Sequence, residues 1–223
     1  MIALVGPYGS GKTELAVNLA LRLASLGERV ALADLDVVNP YFRSREVRGL
    51  LADEGVRVVA PPPEMGFVDL PIVAPGILAL LAGPDRVVLD VGGDRAGAHV
   101  LRSLGERLRE SPHDVFFVVN ACRPAAAEPA AAFSALRAWE SEAGLAVTGV
   151  VSNTHLLDET TDEIVTRGVE VARETARLAG VRVAFAGVTA TLAGGASERL
   201  GLPVLPVERT LVPPHLRRHP CPL

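Results

Sequence analysis

Residues 2–13 read Ile2-Ala3-Leu4-Val5-Gly6-Pro7-Tyr8-Gly9-Ser10-Gly11-Lys12-Thr13, a short apolar run that breaks into a glycine loop. From Lys12 onward, Leu15, Leu19, Leu23 and Leu26 recur at helical spacing, and Gly27 supplies a stop. Strand, glycine loop and helix follow one another without a gap, and the loop fits GxxxxGK[ST] over Gly6 to Thr13. That arrangement predicts a phosphate-binding loop. Glycines let successive backbone N–H groups curl around an anion, and the helix N-terminus adds favourable partial charge. Gly6, Gly9, Ser10, Gly11, Lys12, Thr13 and Glu14 are therefore the expected nucleotide contacts, with Lys12 reaching β- and γ-phosphate oxygens and the Thr13 hydroxyl ligating Mg²⁺. Composition singles out the same residue: every lysine or arginine in the chain is arginine except Lys12. A compact ammonium on a thin stem fits where a planar guanidinium fork does not.

Outward from this loop, β-branched runs alternate with amphipathic stretches, the pattern of repeated βαβ units. Strands are expected at 2–5, 29–34, 56–60, 86–91, 115–120, 146–152 and 182–186, with a further one at 203–205. Helices are expected at 12–26, 44–54, 75–81, 97–109, 129–143 and 162–179. The predicted fold is a single α/β domain, a mainly parallel sheet flanked by helices on both faces, as in P-loop NTPases. A proline-rich tail from about residue 206 is expected to wrap the domain or fray, because Pro213, Pro214, Pro220 and Pro222 exclude a continuous helix. Pro61, Pro62 and Pro63 open an irregular stretch to Pro75 that carries Glu64, Phe67 and Asp69.

Bulk properties narrow the function classes. With 223 residues and 49% hydrophobic content there is material for a large core, yet no apolar run approaches the ~20 residues that cross a bilayer. Met1 is followed at once by the first strand, which predicts a cytoplasmic protein. The net charge of −4 argues against broad nucleic-acid binding. Cys122 and Cys221 stand outside any metal-ligand or disulfide spacing. His99, His113, His155, His215 and His219 likewise lack ligand partners by spacing.

Two acidic elements complete the expected site. Asp90 ends an apolar strand before Gly92 and Gly93, as a Walker B aspartate does; its ordinary alternative is a strand-capping carboxylate. There it would hold Mg²⁺ through water, with the Gly93 amide placed to sense a γ-phosphate. Asp34, Leu35 and Asp36, followed by Asn39 and Pro40, end the second strand.

That aspartate pair, after a P-loop helix and an apolar strand, resembles the MinD and ParA-like ATPases of the SIMIBI class, most closely over residues 1–46 and 86–97. The resemblance implies that Asp36 orients the attacking water and that Asp34 supports the Mg²⁺ shell. It also implies an ATP-dependent homodimer or an unidentified protein partner. Those families carry a further lysine where Pro7 stands here, so another cation is needed, and Arg43 and Arg45 are the candidates, with Arg95 a third. MinD's amphipathic membrane helix does not fit the proline-rich tail, and ParA's DNA coating lacks a basic surface here, so neither membrane nor nucleic acid is an expected partner. Asn153 resembles the adenine-contacting asparagine of MinD-like proteins. A guanine-reading NKxD is missing after both Asn120 and Asn153, which favours ATP over GTP and sets aside the nickel-insertion GTPases, whose P-loop is similar. The expected function is an ATPase switch. The alternatives are a small-molecule kinase or an ATP-dependent ligase resembling dethiobiotin synthetase, its substrate held by the stretch 61–75, and a nucleotide-gated scaffold.

Overall fold

The computed structural model describes residues 1–36, 47–59 and 75–211. Among these residues eight strands form one sheet: β1 (Ile2–Val5), β2 (Val30–Leu35), β3 (Arg57–Val59), β4 (Arg86–Val91), β5 (Asp114–Val119), β6 (Gly149–Ser152), β7 (Arg182–Thr189) and β8 (Val204–Val207). Their order is β3-β2-β4-β1-β5-β6-β7-β8, and all seven neighbouring pairs are parallel. The expected mainly parallel sheet is thus parallel throughout the described residues. Its helices are α1 (Lys12–Ser25), α2 (Arg48–Asp53), α3 (Pro75–Leu81), α4 (Arg95–Ser103), α5 (Gly105–Arg109), α6 (Pro129–Ala143), α7 (Asp162–Ala179) and α8 (Ala196–Leu200).

Strand periodicity sorts the apolar side chains onto two faces. Ala3 and Val5 of β1, Val87, Leu89 and Val91 of β4, and Phe117 and Val119 of β5 pack in one core with Leu101 and Leu104, and with Leu136 and Trp139 of α6. The alternate residues Leu4, Val88, Phe116 and Val118 pack on the opposite face against Leu15, Ala16 and Ala20 of α1. Because both faces are covered, β1, β4 and β5 read as continuous apolar runs rather than alternating ones. The same parity places Asp34 and Asp90 on the α1 side of the sheet, level with Leu32 and Val88.

Several element boundaries differ from the sequence expectation for local reasons. The helix expected over 97–109 begins at Arg95, because the Asp94 side chain caps it by accepting from Gly97 N at 3.0 Å, and it is interrupted at Leu104. The strand expected from 146 starts at Gly149, since Val147 N instead donates to Glu140 Oε1 at 2.8 Å. Strand β7 runs to Thr189, three residues past its expected end, because β8 pairs with it there. Pro206 lies within β8 rather than opening a tail, which an edge strand tolerates. Helix α8, set between Gly195 and Gly201 in left-handed conformation, was not expected from periodicity; five residues are too few to show one. The helix expected from residue 44 is described from Arg48, and residues 44–46, the stretch 60–74 and the tail beyond 211 lie outside the described residues.

Candidate functional site

Strand β1 lies between β4 and β5 in the middle of the sheet, so the loop leaving its C-terminal end opens at the point where the connections diverge to opposite sides. The loop from Gly6 to Gly11 needs its glycines. Gly6 has φ 136°, and a methyl group there would come within 2.7 Å of Val118 O. Gly11, at φ 81°, is the residue from which α1 starts, with no side-chain cap. The amides of Lys12, Thr13 and Glu14 open the first turn and have no intrahelical acceptor, so they are left to donate outside the helix.

Lys12 is 7% exposed, and its Nζ donates to Pro7 O at 2.9 Å, folding the side chain back over the loop. Burial lowers its pKa, while Asp90, Asp36 and Asp94 oppose that shift by favouring the charged ammonium. Asp90 is buried to 1% exposure, and neither of its carboxylate oxygens has a hydrogen-bond partner. Burial foremost, and then the neighbouring Asp34 charge, push its pKa up to about 8; the Thr13 hydroxyl and Lys12 pull the other way. The Thr13 hydroxyl thus lies close enough to favour the ionised carboxylate without making a well-formed hydrogen bond to it. Asp34 and Asp90 are register partners on β2 and β4, and Leu4 of β1 flanks Asp90 on its other side. Asp34 Oδ1 accepts from Asp36 N at 3.1 Å, which ties down the turn that carries Asp36.

The connection after β4 closes over the loop. A methyl group at Gly93 would lie 2.7 Å from Tyr8 N and 2.8 Å from Lys12 Nζ, so this residue sits in van der Waals contact with the phosphate loop. A methyl group at Gly92 would lie 3.2 Å from Asp36 Oδ1. Lys12, Asp34, Asp36, Asp90 and Gly93, expected from separate parts of the sequence, are therefore brought to one place. Among the described residues no three His, Cys, Asp or Glu side chains form a ready-made metal cage.

Asn153 lies at the end of β6, 4% exposed, and its Nδ2 donates to Ser10 O at 2.8 Å, so the residue buttresses the loop from beneath. Leu156, at the position where a guanine-reading aspartate would stand, is 42% exposed. Glu14, expected among the nucleotide contacts, turns its carboxylate elsewhere. Its Oε1 accepts from Thr210 N at 2.6 Å and from the Thr210 hydroxyl at 2.5 Å, and Oε2 accepts from Leu211 N at 3.2 Å. Only its backbone amide remains for a phosphate. Arg95 is engaged with Glu142 at 2.7 Å. Arg43 and Arg45 lie outside the described residues.

Three contributors were not expected from sequence. Asp94 was not singled out, though its charge reaches Lys12 and its side chain caps α4. Arg123 donates Nε to Gly9 O at 3.1 Å, across 114 positions. The segment after β8 is clamped on α1, where Asn18 Nδ2 donates to Glu208 O at 2.9 Å and Glu208 N donates back to Asn18 Oδ1 at 2.8 Å. An Asp-x-x-Gly start to α4 was a readable cap signal; the other two contacts had none.

Comparison with known proteins places this geometry. The signal recognition particle 54 kDa protein of Methanopyrus kandleri is 35% identical over 127 residues, covering 54% of this chain and 27% of that protein. The chromosome-partitioning ATPase Soj of Thermus thermophilus is 39% identical over 116 residues, covering 51% of this chain and 43% of that protein. The chain therefore spans less than half the length of either curated relative. Among solved structures, the cell division protein FtsY of Thermotoga maritima superposes with a TM-score of 0.55 at 23% identity, over 84% of this chain and 61% of that one. The signal recognition particle 54 kDa protein of Aeropyrum pernix gives 0.56 at 21% identity, over 83% and 40%. Both structures share the P-loop NTPase fold with this chain. Residues 6–165 match the CobQ/CobB/MinD/ParA nucleotide-binding domain, and the chain belongs to that family.

Proposed function

We propose that the chain binds MgATP at the loop Gly6–Thr13 and hydrolyses it slowly, as a switch whose loops after β2 and β4 respond to the γ-phosphate. The observation that carries this reading is the contact of Gly93 with both the phosphate loop and Lys12 Nζ, with Asp36 Oδ1 beside Gly92. A γ-phosphate entering next to Lys12 displaces or orders both loops at once, so its presence is felt at the protein surface.

The donor set fits a hydrated magnesium ion. Two buried carboxylate oxygens on Asp90 without partners, a hydroxyl on Thr13 beside them, and Asp34 in register are hard oxygen ligands. Magnesium prefers one or two carboxylates together with phosphate oxygens and water to a full protein cage. When bound, held by Thr13 and Asp90 with Asp34 in support, it would neutralise charge that develops on the terminal phosphates. Lys12 would hold the β- and γ-phosphates, the amides of residues 11–14 would cradle them, and Asp36 would orient water. ATP is preferred to GTP because Leu156 offers no acceptor for a guanine N–H. A second copy of the chain or another protein would read the loops around Asp36 and Gly93.

The test is phosphate release from MgATP and MgGTP by the purified protein, set beside Lys12→Ala and Asp36→Ala. Slow, ATP-selective release lost in both variants is expected. Equal use of GTP would overturn the base assignment. Tight ATP binding with no release over a long incubation would overturn the hydrolytic switch.

A further inference from the structure

The carboxylates around the phosphate loop outnumber its cations. Asp36, Asp90 and Asp94 act on Lys12, with Asp34 beside Asp90, and a nucleoside triphosphate adds about four negative charges, roughly two more than a bound divalent ion can balance alone. A second fixed cation at the loop would correct this, and one described residue is built to supply it.

We propose that Arg123 is a phosphate-binding residue of this site, its guanidinium held on the loop by Nε so that the Nη donors meet the terminal phosphates of the nucleotide. The inference rests on the reading of the loop as a nucleotide site and adds a contact from the far side of β1.

Three observations place the side chain. Arg123 Nε donates to Gly9 O at 3.1 Å, and a methyl group at Gly9 would lie 3.3 Å from Nε and 3.7 Å from Cζ, so the guanidinium packs closely against a residue that has no side chain. Its backbone is rigid. Arg123 N donates to Asn120 O at 3.0 Å, Cys122 N to Asn120 Oδ1 at 3.0 Å, and Ala121 N to Thr154 Oγ1 at 2.9 Å. Asn120 itself is fully buried, which anchors the turn in the core. Finally, Arg123 is exposed and has no carboxylate at ion-pair distance among the described residues, whereas Arg29, Arg57, Arg86, Arg95, Arg137 and Arg199 each have one. An arginine fixed on an anion-binding loop without a counter-ion takes its counter-ion from the ligand. A fork that uses Nε for the loop keeps both Nη groups for phosphate, which a lysine at this position cannot do.

The experiment is titration calorimetry of wild type, Arg123→Ala and Arg123→Lys with MgATP, MgADP and AMP, with Lys12→Ala as the reference for loss of the loop. Arg123→Ala is expected to weaken MgATP about tenfold to a hundredfold, the range for a charge-assisted hydrogen bond, with a smaller loss for MgADP and none for AMP. Arg123→Lys should recover only part of the loss. An equal loss on all three nucleotides would show a purely structural support of the loop and overturn the proposal, as would unchanged MgATP affinity in Arg123→Ala. Absence of MgATP binding by the wild type would instead remove the nucleotide-site reading itself.

Discussion

Asp34 and Asp90 face each other as Cα partners on adjacent parallel strands, so two carboxylates share one buried spot at the mouth of the phosphate loop. Burial foremost, and then the Asp34 charge beside it, push the Asp90 pKa up to about 8. Such a pair is costly for the ligand-free fold and useful to a cation.

Asp90→Asn should therefore separate stability from function. Replacing a buried carboxylate without hydrogen-bond partners by its neutral isostere is expected to stabilise the ligand-free protein by on the order of 1–3 kcal/mol, a rise in Tm of several degrees. Magnesium-dependent hydrolysis should be lost in the same variant. Thermal unfolding without nucleotide, alongside phosphate release, checks both; a lower Tm would contradict the account of the pair.

Gly93→Ala tests the contact between the β4 connection and the loop. Its methyl group would meet Tyr8 N at 2.7 Å and Lys12 Nζ at 2.8 Å, so one or both must shift. A displacement of about 1 Å at reacting groups costs on the order of a hundredfold in rate, and phosphate release should fall at least about tenfold. Gly49→Ala is the matched control, because nothing lies within 4 Å of the added carbon and α2 should gain about 0.5–1 kcal/mol of stability with turnover unaffected.

Glu14→Gln should release the segment that follows β8. Three donors from Thr210 and Leu211 converge on this carboxylate. An amide can accept at one end only, and the expected loss is about 1–3 kcal/mol, as for charge-assisted bonds. Limited proteolysis near residues 208–211 should quicken. Retained proteolytic resistance would mean that the buried Leu211 holds the segment without help from Glu14.

His155 gives stability an acid limb. Burial, followed by the charges of Arg123 and Arg209, lowers its pKa below 6.5, so the folded state resists a proton that the unfolded chain accepts. Between those two pKa values the unfolded state binds more protons, and stability falls as pH drops through 6.5 toward the folded value. Above 6.5 the group contributes no slope. Denaturant midpoints measured from pH 8 downward should fall below this point in the wild type, and less steeply in His155→Gln; parallel curves would exclude His155 as the source.

Much of this was legible in the chain because local chemistry dictated it. A loop with glycines at positions 6, 9 and 11 leading into a helix has few conformations open to it, and short β-branched apolar runs such as Val87–Leu89 read as strands covered on both faces. The short elements were harder. Helix α8 is held by its glycine caps and by Ala196 and Leu200 packing under α7, and no five-residue window carries a helical period. Glu14 was expected among the nucleotide contacts, but its carboxylate reaches a segment nearly two hundred residues on, which leaves only its backbone amide for that role.

By itself, the sequence determined the phosphate loop, the βαβ alternation and the identity of the acidic residues, since backbone freedom, side-chain period and charge are properties of neighbouring residues. Only the tertiary structure decided that Asp34 stands beside Asp90, that Gly93 rests on Lys12, and that Arg123 lies across Gly9. Those contacts depend on strand order, and β1 inserts between β4 and β5 because a buried parallel sheet satisfies its hydrogen bonds and covers its apolar faces cooperatively. No local window of sequence records that choice.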